Sequence, residues 1–315
     1  MNRSENFDES ASLLETDREK LRHFERLIRG TGPAGFKKLE NTHLVIVGVG
    51  GVGSWAAEAL VRSAIGRITL IDFDRVNPSN LNRQLPCLAG CPELGVPSTV
   101  GEPKTRIMAE RLRSVSPWSR IEALETVYCP QTAERLWDLK PDVVLDCIDN
   151  ITYKCHLLNS ALKREIPIVC STGAGGRSDP SKIKVCDLSH TRNDPVALQV
   201  RKKLRRDYAF PSNRSFRIPA VYSEELPASP FELPERLFTE AGEAEDPLTR
   251  VSLLCEGTDI AEEDEAGSSC LVMGRGRHAP PCGTFSFVTG AFGLIAASLI
   301  VRLILADYSL KDLYK

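Results

Sequence analysis

The sequence has no CxxC pair, although it carries ten cysteines. Its nearest approach, "CLAGC", is a lone CxxxC, so nothing supports a four-cysteine zinc site. Neither sign of charge dominates. A formal net charge of −2 leaves no global basic field to attract nucleic acid and confines any such contact to a local patch. The first forty residues are polar and charged, without the apolar run of a secretory signal. No internal repeat stands out.

What is present is a chain of 315 residues with 42% hydrophobic content, enough for a sizeable core. Several cysteines lie within apolar, strand-like runs such as "VVLDCID" and "IPIVCS". That usage fits reduced, buried thiols and a cytoplasmic location. Cys170 and Cys282, weighed as nucleophiles, read better as small buried or loop thiols. The apolar stretch 285–306 is long enough to span a bilayer, but it contains Arg302 and is rich in Gly, Ala and Ser. It reads as a core or dimer helix, and membrane insertion is not expected.

Along the chain, 1–20 reads as a flexible tail. Residues 21–176 read as an α/β core, and 177–315 as its continuation in the same domain. "THLVIVGVG", "RITLID", "RIEALE", "PDVVLDCID" and "IPIVCSTG" read as strands separated by helices, with "SKIKVCDL" as a further strand. "REKLRHFERLI" has helical spacing. The alternation predicts an α/β fold, a doubly wound Rossmann-like and mainly parallel sheet with helices on both faces and a C-terminal extension. "PVALQVRKKLRRDY" is a basic helix. The acidic segment 224–270, broken by Pro, Gly and Ser, reads as a poorly ordered loop.

"GVGGVG" sets Gly48, Gly50, Gly51 and Gly53 between the first strand and a helix. Glycines there permit a tight turn and close approach to a phosphate, which the helix N-terminus attracts. Asp72 ends the second strand, placed to accept hydrogen bonds from a ribose. This much defines a nucleotide site without naming the nucleotide. The segment "LIDFDRVNPSNLNRQ" adds a second acid, Asp74, together with Asn80, Asn82, Arg83 and Gln84, and "GEPK" adds Lys104. Hydride transfer has no obvious use for two cations beside the phosphates. Attack of a carboxylate on the α-phosphate of ATP does, because both the approaching anion and the leaving pyrophosphate need neutralising. Asp149 in "DCIDN" ends the strand expected at the sheet's switch point, where a carboxylate can hold Mg²⁺. Asp146, three residues earlier, reads as the less exposed of the two. Asp74 supports either the metal or the loop's polar network.

The glycine turn, the D-x-D of "IDFD", "NLNRQ", "GEPK" and "DCIDN" together resemble the ubiquitin-activating-enzyme-like adenylating superfamily, over about residues 40 to 150. The resemblance implies ATP and Mg²⁺, an acyl-adenylate and a homodimer. It assigns Asp72 to ribose, Asn80, Arg83 and Lys104 to phosphates, and Asp149 to the metal as the essential acid. It also implies an arginine sent into the site by the partner subunit, for which Arg26 is the candidate. "STGAGGRSDPSKIKVCDLSHTRNDPVALQVRKKLR", "AVYSEE" and "GTFSFVTGAFG" narrow the resemblance to the tRNA threonylcarbamoyladenosine dehydratases. That branch implies ATP-dependent ring closure on a modified adenosine beside the anticodon. The basic run Arg201, Lys202, Lys203, Arg205 and Arg206 would then contact tRNA phosphates. A sulfur-transfer protein is a further partner left open. The sequence departs from the branch at an insertion, "CPELGVPSTV", before Lys104, and in the long acidic segment. Three other functions stay in play: adenylation of a ubiquitin-like or sulfur-carrier C-terminus, a nicotinamide-dependent oxidoreductase, and a nucleotide-sensing scaffold.

Overall fold

A computed structural model describes residues 18–231, 282–307 and 310. Most of the expected tail and most of the acidic segment 224–270 lie outside these residues. Among the described residues the strands form one seven-stranded sheet. They are β1 (His43–Val47), β2 (Arg67–Asp72), β3 (Arg120–Glu125), β4 (Val143–Asp146), β5 (Ile168–Ser171), β6 (Ile183–Asp187) and β7 (Pro219–Ser223). Their order is β3-β2-β1-β4-β5-β7-β6. Every pairing is parallel except that of the edge strand β6 with β7. The expected doubly wound, mainly parallel sheet is therefore present.

The strands alternate between two cores, as a sheet covered on both faces requires. Leu44 and Ile46 of β1 join a cluster with α3 (Gly53–Arg62), α4 (Lys104–Val115) and the C-terminal helix α8 (Ser286–Leu305). Val45 and Val47 face the other way, toward α5 (Ala133–Trp137), α6 (Ile151–Lys163) and α7 (Pro195–Tyr208). Each fully buried Leu, Ile or Val contributes roughly 1.5–3 kcal/mol of transfer free energy, so the two cores fix the sheet's register firmly.

One helix differs from the sequence reading, and the long apolar stretch agrees with it. The helical pattern seen at 18–28 is divided into α1 (Arg18–His23) and α2 (Glu25–Asn41), and α2 runs on past "GTGP". It does so across a kink, with Gly32 at φ +71° and Pro33 following it. The long apolar stretch forms α8, which is long and apolar enough to cross a membrane yet packs into the core. Its small residues explain how. A Cβ at Gly293 would lie 2.6 Å from the Val52 carbonyl oxygen and 2.8 Å from Trp55 Cβ, so only glycine lets α8 and α3 approach this closely.

The topology sets the site. Strand order reverses between β1 and β4, and ligands bind such sheets at the carboxyl ends of the strands flanking that point. Val47 pairs with Ile71 on one side and Asp146 on the other. Gly48, Asp72 and Cys147 therefore leave the sheet at the same height.

Candidate active site

The four glycines of the turn divide into two jobs. Gly48 has φ +93°, and a Cβ on it would meet the Cys147 carbonyl oxygen at 2.6 Å. Gly53 begins α3, and a Cβ there would meet the Gly48 carbonyl oxygen at 1.9 Å. These two hold turn, helix and strand together. Gly50 and Gly51 are freer, with neighbours no closer than 3.8 Å and 3.3 Å to an added Cβ. They are the positions where a phosphate can approach the backbone.

Asp72 braces this turn. One carboxylate oxygen accepts from the Val49 N–H at 2.6 Å and the other from the Asp74 N–H at 2.8 Å. Each oxygen keeps lone-pair capacity for a ribose hydroxyl. Burial raises the Asp72 pKa, against the opposing pull of Lys104 and those two N–H groups. Asp74 takes part in the loop's polar network: its carboxylate pairs with Lys104 Nζ at 2.6 Å, and its carbonyl accepts from the Lys104 N–H at 3.0 Å. The lysine is buried and the acid is not. The insertion does not displace this pair. It closes on itself through a bridge between Cys91 and Val96, while Val76 N–H to Glu102 O and Gly101 N–H to Val76 O, both 2.8 Å, pin the chain on its far side.

Arg83 is half-buried beside the glycine turn, its Cγ 3.4 Å from where a Gly51 Cβ would stand. Its Nη1 donates to the Ser79 carbonyl at 2.8 Å and to Asn82 Oδ1 at 2.9 Å, which fixes the guanidinium on a short turn. Trp55 Nε1 donates to the Arg83 carbonyl at 3.1 Å. Asn80 is buried within that turn, and its Oδ1 accepts from the Asn77 N–H at 3.1 Å. Here Asn80 shapes the loop that carries Arg83. Gln84 is buried next to Gly50, with its Oε1 lacking a hydrogen-bond partner.

The two acids after β4 differ sharply. Asp149 is exposed. Asp146 is fully buried and pairs with Lys154 Nζ at 2.6 Å, while its other oxygen accepts from the Ile148 N–H at 3.0 Å. Lys154 also donates to the Ser171 carbonyl at 2.8 Å. Burial disfavours the ammonium, but Asp146 outweighs it and holds the Lys154 pKa above its ordinary value. This buried pair supports the loop 147–150 on which Asp149 sits. The sequence reading passed over Lys154, whose signal is a lysine inside the apolar helical run "YKCHLL" eight residues after Asp146.

The basic helix α7 is only partly a free cationic face. Arg201 donates to the Thr191 carbonyl at 2.9 Å, Lys203 pairs with Asp207 at 3.1 Å, and Arg206 pairs with Asp207 at 2.5 Å. Arg205 lies over the Phe216 ring at 5.3 Å. Lys202 is exposed. Arg26, on α2, is also exposed.

The glycine turn, Asp72, Arg83 and the exposed Asp149 meet at one switch point, where doubly wound sheets bind their ligands. A sequence profile of the ThiF family matches residues 24–314, and the chain belongs to that family. Among its relatives, the tRNA threonylcarbamoyladenosine dehydratase of Bacillus subtilis (strain 168) is 42% identical over 187 residues, covering 59% of this chain and 70% of that protein. The enzyme of the same name from Haemophilus influenzae is 37% identical over 210 residues, covering 65% and 77%. The crystal structure of E. coli tRNA N6-threonylcarbamoyladenosine dehydratase, TcdA, in complex with ATP superposes with a TM-score of 0.71. It is 28% identical and covers 92% of this chain and 97% of that one.

Proposed function

We propose that the protein is an ATP-dependent tRNA-modifying enzyme that closes the ring of N6-threonylcarbamoyladenosine beside the anticodon. The observation that carries this reading is the convergence of Gly50, Gly51, Asp72, Arg83 and Asp149 at the β1/β4 switch point, in a chain whose relatives bear that activity in their names. The free carboxylate of the threonyl group attacks the ATP α-phosphate and pyrophosphate leaves. Arg83 neutralises charge on the phosphates through its planar fork. The carbamoyl nitrogen of the same side chain then attacks the activated carbonyl and displaces AMP. That step is intramolecular, so proximity supplies much of its acceleration. It needs no thiol nucleophile, in keeping with Cys147 and Cys170, whose pKa values burial pushes well up.

The residues suit Mg²⁺ bound with ATP. Among the described residues no three His, Cys, Asp or Glu side chains form a metal cage. Mg²⁺ instead commonly uses one or two carboxylates plus substrate phosphates. Asp149, exposed just beyond β4, would hold it, and the ion would offset phosphate charge. The protein works as a homodimer in the cytoplasm, with Arg26 the candidate to enter the partner's site and Lys202 leading the tRNA contact. A sulfur-transfer protein is a candidate assisting partner.

ATP–pyrophosphate exchange tests the reading. Exchange should depend on threonylcarbamoyl-modified tRNA and be absent with unmodified tRNA. Exchange supported by a carrier protein's C-terminal tail, and not by the modified tRNA, would move the assignment to the sulfur-carrier reading.

A further inference from the structure

Phe285 and Phe287 stand half-exposed, at 48% and 53%, where the chain enters α8. Residues two apart on a helix do not face each other. Phe285, however, is the extended residue just before the helix, at φ −123° and ψ 137°. The two rings can therefore lie together, and they stack with centroids 5.2 Å apart and planes 23° apart.

The location gives this pair meaning. Thr289, bonded through its N–H to the Phe285 carbonyl at 3.1 Å, lies one turn further along. Its Cγ2 is 3.3 Å from where a Gly51 Cβ would stand, on the open part of the phosphate turn. Asn82 Nδ2 donates to the Thr284 carbonyl at 2.9 Å and to Thr284 Oγ1 at 3.2 Å. The phenyl pair is thus tied to the segment that carries Arg83. Thr284 and Thr289, which flank the pair in sequence, thus contact the Arg83 loop and the phosphate turn respectively, and this places the rings beside the site.

We infer that Phe285 and Phe287 form a stacking platform for a base of the tRNA anticodon loop, the modified adenine or its neighbour, presenting the threonyl carboxylate to ATP. The inference rests on the proposed function. Single-stranded RNA is read by splaying bases onto aromatic side chains, and the π-face of a ring, rather than its apolar area alone, supplies the attraction.

Steady-state kinetics with threonylcarbamoyl-modified tRNA and sedimentation of each variant test it. The pair Phe285→Leu/Phe287→Leu, which keeps apolar area and loses the rings, should raise the KM for tRNA about ten- to a hundredfold. The KM for ATP should stay within about twofold, and Phe285→Tyr/Phe287→Tyr should stay near wild type. An unchanged KM for tRNA in the Leu variant, beside an active wild type, overturns the platform and leaves the enzyme assignment intact. A Leu variant that falls from dimer to monomer makes the pair a subunit contact and also overturns it. A wild type that converts no modified tRNA sinks the proposed function, and the platform with it.

Discussion

The two ends of the sheet use the same residue types for opposite purposes. On the far side, near β5, β6 and β7, charged groups are spent on the fold. Asp187 is buried and accepts from five donors: Ser189 N–H and Oγ, Ser215 Oγ, Phe216 N–H and Ile218 N–H, at 2.5–3.2 Å. Asp194 caps α7 through the Ala197 N–H at 2.8 Å and also takes Thr172 Oγ1 at 2.7 Å and Arg177 at 3.0 Å. Arg177 is equally buried and donates further to the Glu225 carbonyl at 3.2 Å. Around β1, β2 and β4, by contrast, Asp72 and Arg83 are fixed with capacity to spare, and Asp149 is exposed. A charged residue at a strand's carboxyl end therefore marks a site only when the fold leaves part of it uncommitted. Asp146 and Asp149 make the same contrast within a single loop.

Replacing residues on each side sharpens the contrast. Asp149→Ala should lower ATP–pyrophosphate exchange about a thousandfold, with the melting temperature changed by no more than about 2 °C. Loss of folding in that variant would make Asp149 structural. Lys154→Met should do the reverse, costing about 3–5 kcal/mol in urea unfolding because Asp146 is left buried without its partner. Lys154→Met/Asp146→Asn should recover much of that loss, since the amide is neutral and retains an oxygen for the Ile148 N–H. A double variant as unstable as the single would show that the ion pair is not the cause.

Asp187→Asn should cost about 3 kcal/mol near neutral pH, because several N–H and O–H donors lose their ionised acceptor. Burial pushes the Asp187 pKa up, but those hydrogen bonds outweigh it and leave it below its ordinary value. The folded form thus binds its proton less readily than the unfolded chain does. Its contribution is complete above the unfolded carboxylate pKa of about 4 and is lost as pH falls through the lower folded value. The gap between wild type and Asp187→Asn in urea should therefore close in acid. A gap independent of pH would assign the effect to packing. The smallest change is expected for Arg83→Lys, about tenfold to a hundredfold in kcat/KM for ATP, as a point charge replaces a planar fork.

How much could be read in advance follows the same division. The alternating apolar runs announced the parallel sheet, and the glycines with Asp72 announced its nucleotide end, because backbone geometry demands those residues at those places. The pairing of Asp74 with Lys104 and of Asn80 with the Asn77 N–H was not legible. Both sit in a motif rich in polar residues, and only three-dimensional pairing with Lys104 and with the Asn77 N–H shows where their capacity goes. Lys154 was missed for a related reason: a lysine in an apolar helix looks like a surface position until its buried acid is seen. The basic helix was visible, but the partners of Arg201, Lys203 and Arg205 on neighbouring turns were not.

The central claim is that the uncommitted end of this sheet activates the carboxylate of a modified tRNA nucleoside. Mass spectrometry of nucleosides from threonylcarbamoyl-modified tRNA, incubated with the protein, ATP and Mg²⁺ and digested without ring-opening conditions, tests it most directly. The account predicts that the modified adenosine becomes lighter by one water, only with ATP and not with Asp149→Ala. A modified adenosine of unchanged mass, with active ATP-bound protein present, would contradict it.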